Sequence, residues 1–217
     1  MGPMRFWVCL IVLVASPAVF AAEPAALFDA HGCRSCHRIG ERGGNSGPDL
    51  TMVGHRRPRA WIEKWLESPR SYKHDTMMPE QGLSIRDRAA LSDWLSTLKG
   101  AEWGSRRPWD MVYGAEQGRL IYARAGCVAC HGPSGRGGHP NPGAHGGLIP
   151  ALGPLMATYK KEELISRIKR GVTPEVHAGP PALVNMAGWD GVLSDAELDA
   201  LADYLLTLAK TNPKDDF

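Results

Sequence analysis

Two short motifs in the 217-residue chain combine paired thiols with an imidazole. Cys33-Arg-Ser-Cys36-His37 and Cys127-Val-Ala-Cys130-His131 share the spacing Cys-x-x-Cys-His. Two thiols three residues apart on a helical turn can reach the two vinyl groups of one porphyrin and form thioethers, and the adjacent histidine can then bind the iron. The motifs therefore predict two covalently attached c-type haems, with His37 and His131 as the proximal iron ligands.

Other uses of paired cysteines fit this spacing less well. A Cys₄ zinc site would place the pairs about 15–20 residues apart, whereas here most of a module separates them. A dithiol redox motif would lie beside a strand–helix unit, and no strand pattern is visible. Disulfides within each Cys-x-x-Cys loop are a further alternative. Haem also explains how modules of about 80 glycine-rich residues obtain enough apolar volume for a core.

The elements that must position these motifs occur twice along the chain. A short helical pattern runs into each motif, over residues 24–37 and 115–131. A stretch rich in Gly and Pro follows each motif, over residues 40–48 and 132–154. Duplication of one small all-α module accounts for this arrangement.

A second helix is expected in each unit. Residues 58–66 carry apolar side chains at helical spacing, with Pro58 near the start. Residues 160–168 repeat the pattern, and Gly171 is expected to end that helix.

A capped helix closes each unit. Ser84 is expected to cap the first closing helix with Asp87 at N3, and Ser194 the second with Glu197 at N3. The apolar stripes consist of Leu91, Trp94, Leu95 and Leu98 in the first helix, and of Leu198, Leu201, Leu205 and Leu208 in the second.

Charge and composition restrict the classes of function. Lys and Arg number 25 and Asp and Glu 23, for a formal net charge of +2, and no Lys/Arg-rich run occurs. This balance gives no reason to expect a nucleic-acid partner. Hydrophobic residues make up 43% of the chain, which allows a packed core. The 25 Gly and 17 Pro favour helices joined by long loops over a compact bundle.

The amino terminus has the features of a secretory signal. Arg5 supplies the positive charge, residues 6–15 form an apolar stretch, and Ala21 and Ala22 suit a cleavage site. Cleavage after residues 1–22 would remove Cys9 and place the mature chain in the periplasm or otherwise outside the cytoplasm. An uncleaved membrane anchor is the alternative, because this segment reaches the lower limit of the roughly 17–25 residues that span a bilayer.

Further motifs resemble the class I cytochromes c in their tandem dihaem arrangement. They are Gly47-Pro48-Asp49-Leu50, Met78-Pro79 and the closing Leu-Ser-x-x-acid helices. The resemblance covers nearly the whole mature chain. It implies an all-α fold of two tandem cytochrome c-like domains, residues 23–99 and 115–217, joined by a linker over residues 100–114. Each domain would be a small helical module around one covalently bound haem.

The resemblance also implies a partner for each proximal histidine. In the family, a proline carbonyl in the Gly-Pro-x-Leu loop accepts a hydrogen bond from that histidine. Pro48 takes this position in the first unit. Ile149-Pro150-Ala151-Leu152 resembles the same feature in the second unit, where the preceding loop is longer.

A methionine before a proline is the family's sixth iron ligand. Met78-Pro79 stands in a polar stretch without helical periodicity, so Met78 is the expected ligand of the first haem. Met77 is the alternative, followed by His74 and His55. A methionine ligand closes the iron and raises its potential, whereas an open position would bind peroxide or another small ligand.

For the second haem, Met186 is the expected sixth ligand. It stands shortly before Ser194, as Met78 stands shortly before Ser84. The stretch around it resembles the family's Met-Pro-x-Trp, except that Ala187 replaces the proline that would fix the loop direction. The alternatives are His177, Met156, which is expected to pack beside the porphyrin, and an open site.

The function implied is transfer of single electrons outside the cytoplasm, by a carrier that is not itself an enzyme. Its partners would be redox proteins, a donor and an acceptor, with a membrane involved only if residues 1–22 are retained. The chain could be a free shuttle, or the electron-transfer subunit of a larger catalytic subunit or respiratory complex; the tandem family includes subunits of sulfide-, sulfite- and alcohol-oxidising enzymes. A dihaem peroxidase with one open iron is the alternative.

Two further groups of residues bear on partners. Trp103 and Trp109 in the linker are expected to pack between the two haem domains, with a partner surface as the alternative. The basic cluster Arg56, Arg57 and Arg59 is expected to be solvated, with electrostatic steering of a partner as the alternative. His139 and His145 lie in a Gly/Pro-rich loop and are expected to be solvated.

Overall fold

The computed structural model describes residues 23–142, 144–174 and 184–210, so the predicted signal over residues 1–22 and the candidate ligand His177 lie outside the described residues. The described chain is mostly helical, as predicted. The helices of the first module are α1 (Pro24–Ala30), α2 (Val53–Arg56), α3 (Arg59–Glu67), α4 (Pro69–Tyr72) and α5 (Ile85–Thr97). Those of the second module are α6 (Gly114–Arg124), α7 (Val128–His131), α8 (Leu152–Met156), α9 (Lys161–Arg170) and α10 (Asp195–Thr207).

Short irregular elements complete the two modules. Single 3₁₀ turns occupy Cys33–Ser35, Ala101–Trp103, Pro133–Gly135, His145–Gly147 and Leu208–Lys210. The strands β1 (Arg38–Ile39) and β2 (Arg42–Gly43) pair antiparallel after the first motif. The sequence shows no strand pattern here, because two-residue strands are too short to give an alternating pattern.

Both closing helices begin where the sequence predicts. The Ser84 hydroxyl accepts a hydrogen bond from the backbone N–H of Asp87 at 3.0 Å, at the start of α5. Ser194 and Glu197 form a reciprocal capping box at the start of α10. Each cap stabilises its helix by about 1 kcal/mol, since it satisfies N–H groups that have no partner within the helix.

The second helix of each unit is also confirmed. Pro58 is the N-cap residue of α3, and α9 ends at Gly171, whose φ of 72° lies in the left-handed region that favours glycine. The helices α2, α4 and α8 were not predicted, because four or five residues are too few to show a helical period.

The core of the first module lies where α5 packs on α1 and α3. Trp94 of α5 meets the ring of Phe28 edge-on, with centroids 5.6 Å apart. The buried residues of this core are Phe28, Ile39, Val53, Ile62, Leu66, Leu91, Leu95 and Leu98. The predicted stripe of α5 is thus its buried face, with Trp94 partly exposed.

The core of the second module is built on the packing of α6 against α10. A side chain at Gly118 of α6 would collide with the Ala200 carbonyl of α10, so the glycine permits this close approach. The predicted stripe of α10 and the following turn is buried along its whole length, at Leu198, Leu201, Leu205 and Leu208.

The linker tryptophans belong to this second core. Trp103 and Trp109 are buried and meet edge-on with ring centroids 5.0 Å apart, and Trp109 Nε1 donates a hydrogen bond to Glu197. Both tryptophans are therefore buried in the second core, and Met52 brings the first module into contact with the same cluster.

None of the described helices has the length and apolar character needed to cross a lipid bilayer.

Candidate haem sites

The first Cys-x-x-Cys-His motif lies on a tight turn between α1 and β1. Cys33 and Cys36 are free thiols at the two ends of this turn, the first half-buried and the second exposed. Gly32 begins the turn with a φ of 68°, and the backbone N–H of His37 donates to the Cys33 carbonyl at 2.9 Å. The turn thus presents both thiols and the imidazole from one short segment, as haem attachment requires.

His37 is held in an orientation suited to an iron ligand. Its Nδ1 lies 2.8 Å from the Pro48 carbonyl oxygen, as the resemblance implies. A carbonyl only accepts hydrogen bonds, so Nδ1 carries the proton and Nε2 keeps a free lone pair. Burial lowers the pKa of His37, which keeps the ring neutral. A Cβ at Gly47 would lie 2.6 Å from Cε1 of the ring, so only glycine fits against it.

Met78 is the inward-facing residue among the candidates for the first sixth ligand. It packs against the first core, and Trp65 Nε1 lies 3.0 Å from its sulfur. Met77 is 87% exposed and His74 is exposed, so neither side chain faces the core. His55 points to the other module, with Nε2 2.9 Å from the Gly188 carbonyl oxygen.

The second motif runs from the end of α6 into α7. Burial raises the pKa of the Cys127 thiol to about 12, and Cys130 is half-buried. Burial is also the main reason why the pKa of His131 falls to about 4, with smaller contributions from His139 and Arg57. The His131 ring is therefore neutral and able to bind a metal.

The expectation that the Pro150 carbonyl accepts a hydrogen bond from His131 is wrong. Its Nδ1 is buried and makes no hydrogen bond with any described residue. The longer loop of the second unit closes on itself, because the N–H of Gly138 donates to the Ile149 carbonyl at 2.7 Å. The Pro150 carbonyl packs against Gly137, where a Cβ would lie 2.5 Å from its oxygen. The proline therefore does not reach the imidazole as Pro48 does in the first unit.

The candidates for the second sixth ligand occupy different environments. Met186 is partly buried against the second core, and its backbone pairs with Val172 through hydrogen bonds of 2.9 and 3.0 Å. Met156 is only 4% exposed within the same core.

The expectation that His139 is solvated was wrong. The residue is half-buried, and burial lowers its pKa. A Cβ at Gly132 would lie 3.6 Å from His139 Nε2. The side chain of His145 lies outside what the structure describes.

The four cysteines do not form a shared metal site. Across residues 23–142, 144–174 and 184–210, no three His, Cys, Asp or Glu side chains lie close enough to hold a metal ion. The two pairs belong to separate modules, each beside its own histidine.

Two arginines connect the two modules: Arg56, the last residue of α2, and Arg57, which follows it. Arg57 is 8% exposed, and its Nη2 lies 2.7 Å from the Cys130 sulfur of the second motif. The guanidinium of Arg56 packs against Gly126, where a Cβ would lie 2.5 Å from Cζ. The expectations of a solvated or partner-steering cluster were therefore wrong for these two residues. Arg59 is paired with Asp93 and Glu63.

A buried ion pair joins the modules beside these arginines. Arg124 of α6 donates to the Asp49 carboxylate at 2.7 Å and to the Gly40 carbonyl at 2.8 Å. The Asp49 side chain is 5% exposed and that of Arg124 is 14% exposed. Asp49 directly follows Pro48, so the loop that orients His37 is also the loop that binds the second module.

Aromatic side chains extend from this interface to Met78. The Arg57 guanidinium lies 4.9 Å from the ring centroid of Trp61, which stacks on Trp65 at 5.2 Å with an interplanar angle of 13°. Trp65 in turn donates to the Met78 sulfur. Sequence reasoning missed these roles, although Trp61 and Trp65 stand one helical turn apart on α3 and so share a face.

Comparison with known proteins identifies the family. The cytochrome c family model matches residues 21–99 and 115–209, and the chain belongs to the cytochrome c family. No curated protein matches the chain. Among solved structures, a chain of the reducing HAO-like protein complex from Kuenenia stuttgartiensis is 16% identical, with 87% of this chain and 96% of that chain covered and a TM-score of 0.30. That similarity is too low to bear on function.

Family membership gives the residues described above a chemical context. Cytochrome c domains carry covalently bound haem c, transfer electrons and interact with redox partners. Each matched segment contains one Cys-x-x-Cys-His motif, which is consistent with one haem in each segment.

Proposed function

We propose that the chain is a dihaem electron carrier that exchanges single electrons with redox proteins outside the cytoplasm. The observation that carries this proposal is the state of His37, whose Nδ1 is bonded to Pro48 and whose Nε2 lone pair is free beside two free thiols. The second motif repeats the thiols and the neutral, buried histidine. These donor sets fit haem c, with a thioether to each cysteine and one imidazole ligand for each iron.

The cysteines would attach each haem covalently, and a histidine and a methionine would bind each iron. Cys33 and Cys36 would bind the first haem, and Cys127 and Cys130 the second, by addition of each thiol across a vinyl group. His37 and Met78 would be the axial ligands in the first module, and His131 and Met186 those in the second. Bound haem supplies a one-electron Fe(III)/Fe(II) couple, whose potential a methionine ligand raises.

A protein that only transfers electrons needs no open coordination position on its irons. In this proposal the protein keeps its axial ligands in both oxidation states and excludes water from the iron. A spectroscopic redox titration of the purified holoprotein should account for two electrons per chain. A titration that accounts for one electron would contradict a dihaem carrier.

The peroxidase alternative requires an open iron and is tested separately. Carbon monoxide binds a ferrous haem only where the sixth position is open or weakly held. We expect the reduced holoprotein to show no change in its Soret band under carbon monoxide. Binding by one haem, together with turnover of hydrogen peroxide, would favour the peroxidase instead.

The cellular compartment and the kind of partner are two further parts of the proposal. A periplasmic location is proposed on the secretory features of residues 1–22. Cell fractionation with measurement of the native mass tests both points. A monomer in the periplasmic fraction would identify a shuttle, whereas a co-purifying larger protein would identify a subunit of an oxidoreductase complex. Recovery of the mature chain in the cytoplasm would contradict the proposal.

A further inference from the structure

The two candidate haem sites differ in the hydrogen bonding of their proximal histidines. His37 Nδ1 lies 2.8 Å from the Pro48 carbonyl oxygen, whereas His131 Nδ1 is buried and has no partner among the described residues. A hydrogen bond at Nδ1 makes an imidazole a more basic ligand, and a more basic ligand stabilises ferric over ferrous iron. The first site is therefore built to favour the oxidised state more strongly than the second.

The charges beside the two histidines also favour ferric iron more strongly in the first site than in the second. The Asp49 carboxylate belongs to the residue directly after Pro48, whose carbonyl oxygen lies 2.8 Å from His37 Nδ1. At the second site the Arg57 guanidinium lies 2.7 Å from the sulfur of Cys130, the residue directly before His131. A negative neighbour stabilises the additional positive charge of ferric iron, and a positive neighbour destabilises it.

Other charges do not cancel this difference. Arg34, within the first motif, is paired with Asp29 at 2.5 Å. Arg124 neutralises part of the Asp49 charge, but it comes from the second module and also pairs with Glu41. Arg57 makes no ion pair with a described residue; its contacts are carbonyl oxygens, the Cys130 sulfur and the Trp61 ring. The Arg57 residue is only 8% exposed, so water screens its charge poorly.

We propose that Arg57 and the unbonded His131 give the second haem the higher reduction potential of the two, so that an electron received by the first haem passes to the second. In this step the first iron changes from Fe(II) to Fe(III) and the second from Fe(III) to Fe(II). The inference rests on the proposed dihaem function.

Access to the two attachment sites agrees with this direction. Cys36 is exposed on the surface of the first module, whereas Cys127 and Cys130 are both partly buried and Cys130 is in contact with Arg57. An electron donor can therefore approach the attachment edge of the first haem, while the corresponding edge of the second faces the first module. Electron entry at the first haem is the assignment that this arrangement favours.

The test is an equilibrium redox titration in which each haem is identified. Met78→His should convert the first haem to bis-histidine ligation and lower its potential, which marks the wave of the first haem. In the wild type, we expect the unmarked wave, that of the second haem, at the higher potential. A wild-type order with the first haem higher, or two waves that coincide, would overturn the inference.

Variants at Arg57 test the cause. Arg57→Gln should lower the ratio of reduced to oxidised second haem by about tenfold at a fixed ambient potential, and should shift the first haem much less. Arg57→Lys retains the charge and should preserve most of the wild-type ratio, and Arg59→Gln removes an exposed, paired charge and should change neither wave. An equal shift of both haems in Arg57→Gln, or none, would contradict the role of Arg57.

The same experiment distinguishes a failure of the inference from misfolding of a variant and from a failure of the proposed function. If Arg57→Gln loses haem or fails to fold, the wild-type order and Arg57→Lys still decide the inference. Uptake of two electrons in the reverse order would overturn the inference and leave the dihaem carrier intact. Uptake of fewer than two electrons would instead contradict the carrier itself.

Discussion

Trp65 links the aromatic cluster of α3 to the expected sixth ligand of the first haem. Its indole N–H lies 3.0 Å from the Met78 sulfur, which has one lone pair for the iron and one for a hydrogen bond. Donation to the sulfur withdraws electron density and so favours ferrous iron. We expect Trp65→Phe to lower the reduction potential of the first haem and to leave that of the second unchanged. Redox titration measures this effect.

The control for Trp65→Phe is Trp61→Phe, which keeps the aromatic stack and the donor at Trp65. It should shift neither potential appreciably. Equal potentials in wild type and Trp65→Phe would show that the hydrogen bond does not tune the iron.

Met186 is the proposed sixth ligand of the second haem. Replacing it with Ala should abolish half of the Met–iron charge-transfer band of the oxidised protein, because one of two methionine-ligated haems loses its sulfur. The band is read from the near-infrared absorption of the holoprotein, with Met77→Ala as an exposed control. An unchanged band in Met186→Ala, or bis-histidine ligation of one haem in the wild type, would exclude Met186.

At the residue scale, the sequence predicts what is local. Each Cys-x-x-Cys-His motif holds its ligands within one turn, so its chemistry is readable from spacing, and the Pro48 contact follows from the family resemblance. The burial of Arg57 and of His139 depends on contacts made after the modules and the long loop have folded. No pattern in the neighbouring residues records such contacts.

Among the elements, α10 is fixed to the linker through one carboxylate. Glu197 accepts hydrogen bonds from Ser194 and Trp109 and pairs with Arg107 at 2.9 Å. Burial raises the pKa of Glu197, but these partners outweigh it and hold the pKa below its ordinary value. We expect Glu197→Gln to reduce the free energy of unfolding by about 1–3 kcal/mol at neutral pH, where the lost bonds involve a charged group.

The cost of Glu197→Gln should depend on pH. A lowered pKa contributes stability above the unfolded-state value of 4.5, and that contribution is lost as the pH falls through the folded-state value. Urea unfolding of both proteins at about pH 7 and about pH 3 measures the difference. Glu162→Gln, at an exposed position in α9, is the control. A difference of the same size at both pH values would show that the charge of Glu197 is not involved.

The longer elements were predictable because their signals are local and repeated. Caps at Ser84 and Ser194 and the stop at Gly171 fix helix ends through neighbouring backbone groups. The short helices α2, α4 and α8 lack enough residues for a period, and tertiary packing decides their conformation. α2 matters most among them, because it carries Arg56 into the interface and directly precedes Arg57.

In the whole molecule, the Arg124–Asp49 ion pair is a buried charged contact between the modules. Arg124→Gln would leave Asp49 buried without its partner, which costs about 3–5 kcal/mol for a buried pair. We expect the modules to separate in part, with a larger radius of gyration by small-angle X-ray scattering. Arg119→Gln, which breaks an exposed pair with Glu116 on the same helix, is the matched control.

Haem loading of Arg124→Gln should remain complete, because each module binds its own haem. An unchanged radius of gyration would show that the apolar contacts of Met52 and Trp103 hold the modules together without the ion pair. Duplication predicts that two modules exist, but not how they dock. The docking surface uses different parts of the two units, among them residues 49–57 of the first unit and α6 with the second motif in the other.

The central claim is that each Cys-x-x-Cys-His motif binds one haem covalently. Mass spectrometry of the denatured protein, purified from cells that make c-type haem, tests it most directly. We expect the mass of the polypeptide plus two haems, and the loss of one haem in Cys33→Ser/Cys36→Ser and in Cys127→Ser/Cys130→Ser. A wild-type chain that carries one haem or none, or a double variant that retains both, would contradict the account.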